Sequence, residues 1–510
     1  MPASDRPTAN GLRRGKPAYR RDKLCSVNVP LLLLLVYTIG ITAFGVWIGR
    51  RVRGPADFFV AGRKLTWPLV GGTVLAANIG AGTTVGAAGV AYNDGISAWW
   101  WNGAVGIGTL ILAWWIGPKL WSIAAAKGHL TIGDYLEDRY SASVRGIIAS
   151  LTLIGSLAVL AAQLIAGAAV LEVVASVPRP TGVAIGAIAM TIYFTAGGLL
   201  SSAWVNAIQL VVLIGGFTVA LPLVLDRIGG AAAIAAAPGV TASFWDPFYS
   251  VGPPLSGWTM LILLTPGFII SPGLVQKAYG AESARAVRIG IGAAGLIQLF
   301  FSFLPVLFGM AARVNHPGIE SPNLVLPTVL LNDLPTLMGA LALAAVFSAE
   351  VSTCDAILFM VATSASRDLY QRFFNPAAGP QQLLRIARTA AVAGGLLGIV
   401  LAVRLATIAD ALRIFYSLLG ASLLTPVLGA VLIPRATARD AIAGIAGGVG
   451  TLLSVYFFTD RTGWQDPSLW GLIGSAVAFA VSNLVARPNR SELGNARVCE
   501  EGRVDQRHRH

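Results

Sequence analysis

Charged residues are scarce in this chain of 510 residues, of which Asp, Glu, Lys and Arg make up only 12%. Soluble globular domains contain about 25% of these residues. So low a share over so long a chain excludes an ordinary soluble enzyme. The hydrophobic share of 55% also excludes a disordered protein, because disordered segments contain too few apolar residues to bury a core.

Cysteine and histidine are also rare, with three and four copies. Cys25, Cys354 and Cys499 are far apart in the sequence and indicate no disulfide framework. The histidines lie in loops or in the C-terminal tail, and their spacing does not match that of metal ligands. A membrane-embedded enzyme is therefore a remote alternative, and no cofactor is expected.

The net charge of +13 would fit a nucleic-acid-binding protein. In a chain this apolar, basic loops held on the cytoplasmic side of a membrane explain the same charge. We therefore expect a lipid bilayer around this protein and no nucleic-acid partner.

Apolar stretches long enough to cross a bilayer recur along the chain. A membrane-spanning helix needs about 20 apolar residues, and we predict an all-α polytopic protein with about 13 spans. Their approximate limits are 29–49, 67–91, 97–117, 146–174, 181–200, 204–225, 258–276, 289–312, 335–362, 386–406, 411–433, 440–459 and 468–487. This places a transmembrane domain at 29–487 between basic tails at 1–28 and 488–510.

Lysine and arginine placement predicts the orientation, because cytoplasmic loops are enriched in these residues. With an odd number of spans, 24 basic residues lie on the side of the C-terminal tail and 6 lie in loops on the other side. The N-terminal tail contributes 7 more to the poorer side. The many interior loops agree with one another, so we expect the C-terminus in the cytoplasm, the N-terminus outside, and insertion in the plasma membrane.

Two spans contain residues that interrupt a helix. The second span includes Asn78-Ile-Gly-Ala-Gly-Thr-Thr84, and the seventh includes Thr265-Pro-Gly-Phe-Ile-Ile-Ser-Pro-Gly273. Interrupted spans at corresponding positions of two halves are typical of inverted-repeat transporters with a site at mid-membrane. Each break would start a unit of five spans, at about 67–225 and 258–433, and an odd number of spans inverts the second copy.

Several short motifs together resemble the sodium:solute symporter family. They are Asp57-Phe-Phe-Val-Ala-Gly-Arg63, Ala76-Ala-Asn-Ile-Gly-Ala-Gly82, Thr131-Ile-Gly-Asp-Tyr-Leu-Glu-Asp-Arg-Tyr140, Tyr193-Phe-Thr-Ala-Gly-Gly-Leu-Leu200, Gln209, Gln276-Lys277, Ala349-Glu-Val-Ser-Thr-Cys-Asp355 and Arg367-Asp-Leu-Tyr370. The resemblance covers about residues 30–485. It implies a LeuT-type fold and sodium-driven uptake of a small organic solute by alternating access.

The resemblance also implies a sodium site between the second and ninth spans. Its ligands would be the carbonyl oxygens of Ala76, Ile79 and Ala349 and the hydroxyl oxygens of Ser352 and Thr353. Sodium is a hard cation, so neutral oxygen ligands suit it. Asp355 also matches the family motif, either as a group at the cytoplasmic exit of the sodium or as a structural anchor.

Departures from the family pattern at four positions bear on function. Glu350 occupies a position that is usually apolar, and a carboxyl at mid-membrane is a candidate for function. It is neutral, couples a proton, or faces a cationic solute. The alternative is an inert, hydrogen-bonded glutamate near the helix end. Asn206 replaces a carboxylate on the sodium pathway, which leaves the ion stoichiometry open. Thr83 and Gly267 replace a glutamine and an aromatic gate of sugar-transporting members, which argues against a sugar.

The solute cavity should lie at the two breaks. Candidate lining residues are Thr83, Thr84, Asn102, Gln163, Phe268, Ser271, Tyr416 and Ser417. Three tryptophans at 99–101 are expected to anchor the outer membrane interface, or else to cover a solute.

The leading hypothesis is a sodium-coupled symporter for a small organic solute. The alternative is a proton-coupled carrier on the same fold that uses Glu350, possibly for a cationic solute. The solute itself and the oligomeric state are left open.

Overall fold

The structure is a computed structural model that describes residues 28–50, 60–248, 257–460 and 465–485, with only the backbone at 189–190, 192–202 and 257–259. Nearly all of these residues are helical. In chain order the helices are α1 (Val29–Gly49), α2 (Trp67–Asn78), α3 (Ala87–Asp94), α4 (Trp99–Ile111), α5 (Gly117–Lys127), α6 (Ile132–Arg139), α7 (Ala142–Ala175), α8 (Arg179–Ile228), α9 (Ala231–Ala236) and α10 (Gly257–Ile270). They continue with α11 (Pro272–Tyr279), α12 (Ala284–Phe301), α13 (Phe303–Asn315), α14 (Val325–Asn332), α15 (Thr336–Thr363), α16 (Pro380–Arg404), α17 (Ile408–Leu419), α18 (Thr425–Leu432), α19 (Ala438–Phe458) and α20 (Pro467–Val485).

Within the described ranges, eleven helical stretches are long and apolar enough to cross a membrane, against the thirteen spans that the sequence predicts. Two predicted spans are not among the eleven. The span at 67–91 is broken into α2 and α3, so α2 alone is too short. The span at 181–200 lies in the first half of α8, where only the backbone is described at 189–190 and 192–202, and the second half of α8, Ala203–Ile228, is one of the eleven.

Helix α8 is too long for a single crossing. At 1.5 Å per residue its 50 residues would extend about 75 Å if straight, more than twice the hydrocarbon thickness of about 30 Å. At its start, Arg179 donates to the Ala406 carbonyl, which also accepts from Asn323. The loop that follows α8 contacts Arg313, whose guanidinium lies 5.0 Å from the Tyr92 ring. Tyr92 in turn binds the loop that precedes Asn323. Both ends of α8 therefore lie at one face of the protein, which fits two crossings.

The first and last described helices begin and end at opposite faces. The Asn28 side chain donates to the Val174 carbonyl at the end of α7, next to the start of α8. At the other face, Asn483 near the end of α20 donates to Asp440, and Arg435 donates to Asn483. The predicted basic tails at 1–28 and 488–510, apart from Asn28, lie outside the described residues, as do residues 57–59 of the first family motif.

Helix α15 occupies the centre of the bundle. It is buried along almost its whole length and contacts α1, α7, α8 and α16. Helices α19 and α20 pack on each other at the periphery through small residues. An added Cβ at Gly447 would lie 2.4 Å from the Ala478 Cβ and 2.9 Å from the Gly474 carbonyl oxygen. Close backbone approach of this kind is how helices associate in lipid, where burial of apolar surface supplies little driving force.

Candidate functional site

The break in the second span has a defined hydrogen-bonding cause. Ile79 leaves the helical region (φ −95°, ψ 93°) and ends α2. The Gly80 N–H then donates to Thr83 Oγ1 at 2.9 Å, and the Ala81 N–H donates to Gln163 Oε1 at 2.8 Å. In a continuous helix these two N–H groups would bond to the carbonyls of residues 76 and 77, and the Thr83 N–H, which here donates to the Gly80 carbonyl at 3.0 Å, would bond to that of Ile79. Side chains therefore replace the helical ladder and free those carbonyl oxygens.

Thr353 on α15 faces the freed carbonyls. Its Oγ1 lies 3.3 Å from the Ala76 oxygen and 3.1 Å from the Ile79 oxygen. In a six-coordinate site with metal–oxygen bonds of about 2.4 Å, neighbouring ligand oxygens are about 3.4 Å apart. Three neutral oxygens at this spacing suit a hard cation. Ala349 lies one turn before Thr353 on the same face of α15 and is buried with it.

Gly80 permits this approach of the break to α15. A Cβ at Gly80 would lie 2.4 Å from Thr353 Oγ1 and 2.7 Å from Gln163 Oε1, distances that real Cβ atoms do not show. Any larger residue would separate the break from both neighbouring helices.

Ser352, the other predicted hydroxyl ligand, has a different partner. It donates to Asn206 Oδ1 at 2.8 Å, because adjacent residues on a helix point about 100° apart. The Asn206 amide reaches Thr73 Oγ1 at 3.5 Å, and the Lys277 ammonium reaches the same oxygen at 3.3 Å. The structure thus places Ser352 at the end of a polar chain that leads to a buried lysine.

Glu350 is fully buried and links α15 to the break. Its Oε1 accepts from Thr84 Oγ1 at 2.9 Å, and among the described residues its Oε2 has no hydrogen-bond partner. The single hydroxyl hydrogen of Thr84 is shared with the Gly80 carbonyl oxygen, which lies 2.9 Å from the same Oγ1. An ionised carboxyl with a single hydrogen bond in a membrane interior is costly. Glu350 is therefore a candidate for a functional role and not only for packing.

The second break lies between α10 and α11. Ser271 leaves the helical region (φ −50°, ψ 121°), and Pro272 starts α11. Lys277 on α11 is 1% exposed and interacts electrostatically with Asp355 on α15. Both interpretations of Asp355, as a group at the cytoplasmic exit of the sodium and as a structural anchor, stay predictions.

An internal cavity lies between the two breaks. Five of the eight predicted lining residues face it: Thr83, Gln163, Phe268, Ser271 and Tyr416. The other three have different surroundings. Thr84 contacts Glu350, Asn102 donates to the Thr83 carbonyl at 2.9 Å, and Ser417 bonds to Ser468 at 2.7 Å.

Aromatic side chains dominate one end of this cavity. The rings of Phe268 and Tyr416 lie 5.2 Å apart. An added Cβ at Gly267 would be 2.8 Å from the Tyr416 ring. Tyr416 of α17 therefore supplies an aromatic ring next to Gly267, the position at which this sequence lacks the aromatic gate. Trp101 is 1% exposed and lines the cavity. The sequence left an interfacial anchor and a cover over a solute open for the three tryptophans, and nothing in the run indicated which of them points inward.

Lys277 and Asn78 also line the cavity. Both belong to motifs of the family resemblance, but the sequence did not predict a place in the cavity for either. Lys277 follows Ser271 by six residues in the sequence. Because the chain turns at Ser271, Lys277 lies next to α2 and α15.

An ion-pair cluster joins α6, α7 and the extension of α15 at the basic face. Arg145 contacts Asp134 at 2.9 Å and Asp368 at 2.7 Å, and Arg367 contacts Asp134 at 3.2 Å. Burial raises the pKa of Asp134, but the two guanidinium groups and two backbone N–H donors outweigh it and hold that pKa below its usual value. The motif at 131–140 thus anchors a short helix against two spans.

Comparisons with known proteins agree with this architecture. Residues 58–448 match the sequence profile of the Sodium:solute symporter family. The chain is 27% identical over 503 residues to the sodium/glucose cotransporter of Vibrio parahaemolyticus, which covers 89% of this chain and 90% of that protein. It is 27% identical over 476 residues to the sodium/pantothenate symporter of Escherichia coli (strain K12), with 90% and 96% covered.

Among solved structures, a substrate-bound, outward-open Na⁺-coupled sialic acid symporter matches 91% of this chain and 99% of its own, with a TM-score of 0.78 at 17% identity. This likeness shows the fold, and the predicted all-α, LeuT-type architecture is confirmed. The limits of the two inverted repeats, 67–225 and 258–433, stay a prediction.

Proposed function

Because the chain belongs to the sodium:solute symporter family, we propose that it imports a small organic solute by alternating access, driven by sodium. It is a multi-pass membrane transporter and not an enzyme. The observation that carries the proposal is the position of the Thr353 hydroxyl against the freed carbonyls of Ala76 and Ile79.

The same break couples the ion to the solute. On one side, the Ala76 and Ile79 carbonyls face Thr353. On the other side, Gln163 and Thr83 hold the break by its N–H groups and also line the cavity. A sodium ion that draws the carbonyls toward α15 would fix the segment that shapes one wall of the cavity. Ion binding would therefore raise solute affinity, and by reciprocity solute would raise ion affinity.

The lining restricts the solute class. Most of it is apolar, including Trp101, Leu264 and Phe268, and Lys277 is its charged member. No carboxylate is part of the lining among the described residues. These groups favour a neutral or anionic solute with an apolar body over a cationic one. Gly267 and Thr83, which differ from sugar-transporting members, argue against a sugar.

A proton-coupled carrier is the second candidate, because Glu350 is buried and its Oε2 has no hydrogen-bond partner in the described part of the chain. Glu350→Gln separates the two. Glutamine keeps an acceptor for Thr84 and loses only the carboxyl that takes up a proton. Sodium coupling predicts that sodium-stimulated uptake persists in this variant. If the wild type shows uptake that is driven by a pH gradient and does not respond to sodium, and Glu350→Gln loses this uptake, the proton carrier is favoured.

The central experiment is tracer uptake in proteoliposomes. Sugars, amino acids, carboxylates and quaternary amines are tested with and without an inward sodium gradient. Sodium-stimulated uptake of one class that needs a higher sodium concentration in Thr353→Ala would support the proposal and name the solute. Uptake driven by a pH gradient alone would overturn the sodium site.

We further propose that the face with the basic loops is cytoplasmic, in the plasma membrane, with the N-terminus outside. An accessibility assay with single cysteines at the exposed positions Ser176 and Ala377 tests it. Labelling of the first from outside and of the second only after permeabilisation is expected, and the reverse pattern would contradict the orientation.

A further inference from the structure

A groove separate from the solute cavity opens at the basic face, between α5, α12 and α18. Trp114, Trp115 and Val431 line it together with Lys119 and Arg288. The helices on both sides are held together: the Trp121 indole donates to the Ala281 carbonyl at 2.9 Å, next to the start of α12. The groove is therefore part of the fixed packing of the bundle.

The groove carries positive charge that the described part of the chain does not neutralise. Lys119 and Arg288 are exposed, and neither forms an ion pair among the described residues. The lining residues described include no acidic side chain. Burial raises the pKa of Tyr135 to about 12, so this further lining residue presents a neutral hydroxyl.

The groove lies at the level of the membrane boundary. Lys119 follows the apolar stretch of the third span, and Arg288 precedes that of the eighth. Trp114 and Trp115 are 57% and 43% exposed, as tryptophans are where headgroups meet acyl chains. A free anion from the cytosol would bind Lys119 and Arg288 but would make no contact with the adjoining apolar wall of Trp114 and Trp115.

We propose that this groove binds one anionic phospholipid of the cytoplasmic leaflet. Its phosphate lies between Lys119 and Arg288, and an acyl chain packs along Trp114 and Trp115. Basic pockets between membrane helices on the cytoplasmic side suit such headgroups. The site is independent of the solute and of the coupling ion.

The test uses the full-length protein in mixed micelles of phosphatidylglycerol or phosphatidylcholine. Native mass spectrometry counts retained lipid, and the melting temperature is measured in parallel. We expect one retained phosphatidylglycerol and a higher melting temperature than with phosphatidylcholine. Lys119→Gln with Arg288→Gln should weaken phosphatidylglycerol binding about 30-fold, since each surface cation contributes about a factor of five. Lys119→Arg with Arg288→Lys should retain it.

The matched control is Arg385→Gln with Arg388→Gln, which removes two exposed cations from the same face but outside the groove. Equal retention in the groove variant and the control would overturn the proposal. So would full competition by inorganic phosphate, because the apolar wall would then contribute nothing. Loss of a dimer in the groove variant, with lipid retention unchanged, would assign the surface to a second copy of the chain instead.

Discussion

At the scale of single residues, two neighbouring hydroxyls on α15 have different partners. Thr353 contacts the freed carbonyls, while Ser352 donates to Asn206. Both residues match the family motif, and the sequence treats them alike. Their partners differ because adjacent residues on a helix point in different directions, which the motif does not show.

We predict that Thr353→Ala raises the sodium concentration for half-maximal uptake about 10-fold to 100-fold, because a ligand to a charged group contributes about 1.5–3 kcal/mol. Ser352→Ala should raise it less, since the Ser352 hydroxyl donates to the Asn206 amide oxygen. Uptake against sodium concentration in proteoliposomes measures both. A larger effect of Ser352→Ala would contradict the ranking.

At the scale of helices, the break after α2 is a local structure stabilised by distant side chains. Gln163 comes from α7, and the nearest wall of the break is Thr353 of α15. Lipid cannot satisfy exposed backbone groups, so an unwound segment persists only where protein groups satisfy it. The break is thus a property of three helices together.

Gly80→Ala should abolish sodium-stimulated uptake while the protein still inserts and folds, because the added Cβ would collide with Thr353 and Gln163. Gly450→Ala on α19 is the matched control, since a Cβ there meets no atom within 4 Å. That variant should keep full uptake. Normal uptake in Gly80→Ala would show that the close approach is not needed for coupling.

Gln163→Leu is expected to reduce uptake and to destabilise the protein by about 1–3 kcal/mol, because it leaves the buried Ala81 N–H without a partner. Gln163→Glu supplies an acceptor at the same position and should preserve more stability. Melting temperatures in detergent, with uptake in parallel, separate the two effects. Equal stability of wild type and Gln163→Leu would mean that the Ala81 N–H finds another partner.

At the scale of the whole molecule, the basic face is held together by charge. The cluster of Asp134, Arg145, Arg367 and Asp368 ties a loop helix to two spans. The folded state keeps the pKa of Asp134 below its unfolded value. Its contribution to stability is therefore fully present above the unfolded pKa of about 3.9 and is lost as pH falls through the folded pKa.

We expect the melting temperature of the wild type to fall more steeply below about pH 4 than that of Asp134→Asn, which cannot take up a proton there. At neutral pH the variant should be the less stable of the two, because it leaves two guanidinium groups short of a counter-charge. Thermal unfolding between pH 3 and 7 in one detergent gives both curves. Parallel curves would show that Asp134 is not responsible for the acid response.

The sequence by itself determined the class of the protein, the family and the location of both breaks, because these depend on composition, on apolar length and on glycine and proline in apolar runs. It also brought together Ala76, Ile79 and Thr353. Only the tertiary structure decided that Ser352 points to Asn206, that Gln163 holds the break, and that Trp101 and Lys277 line the cavity. These are contacts between residues far apart in the chain, and they depend on how helices are rotated against one another. The pairing of the two crossings within α8 likewise follows from where its ends lie, which local hydropathy does not contain.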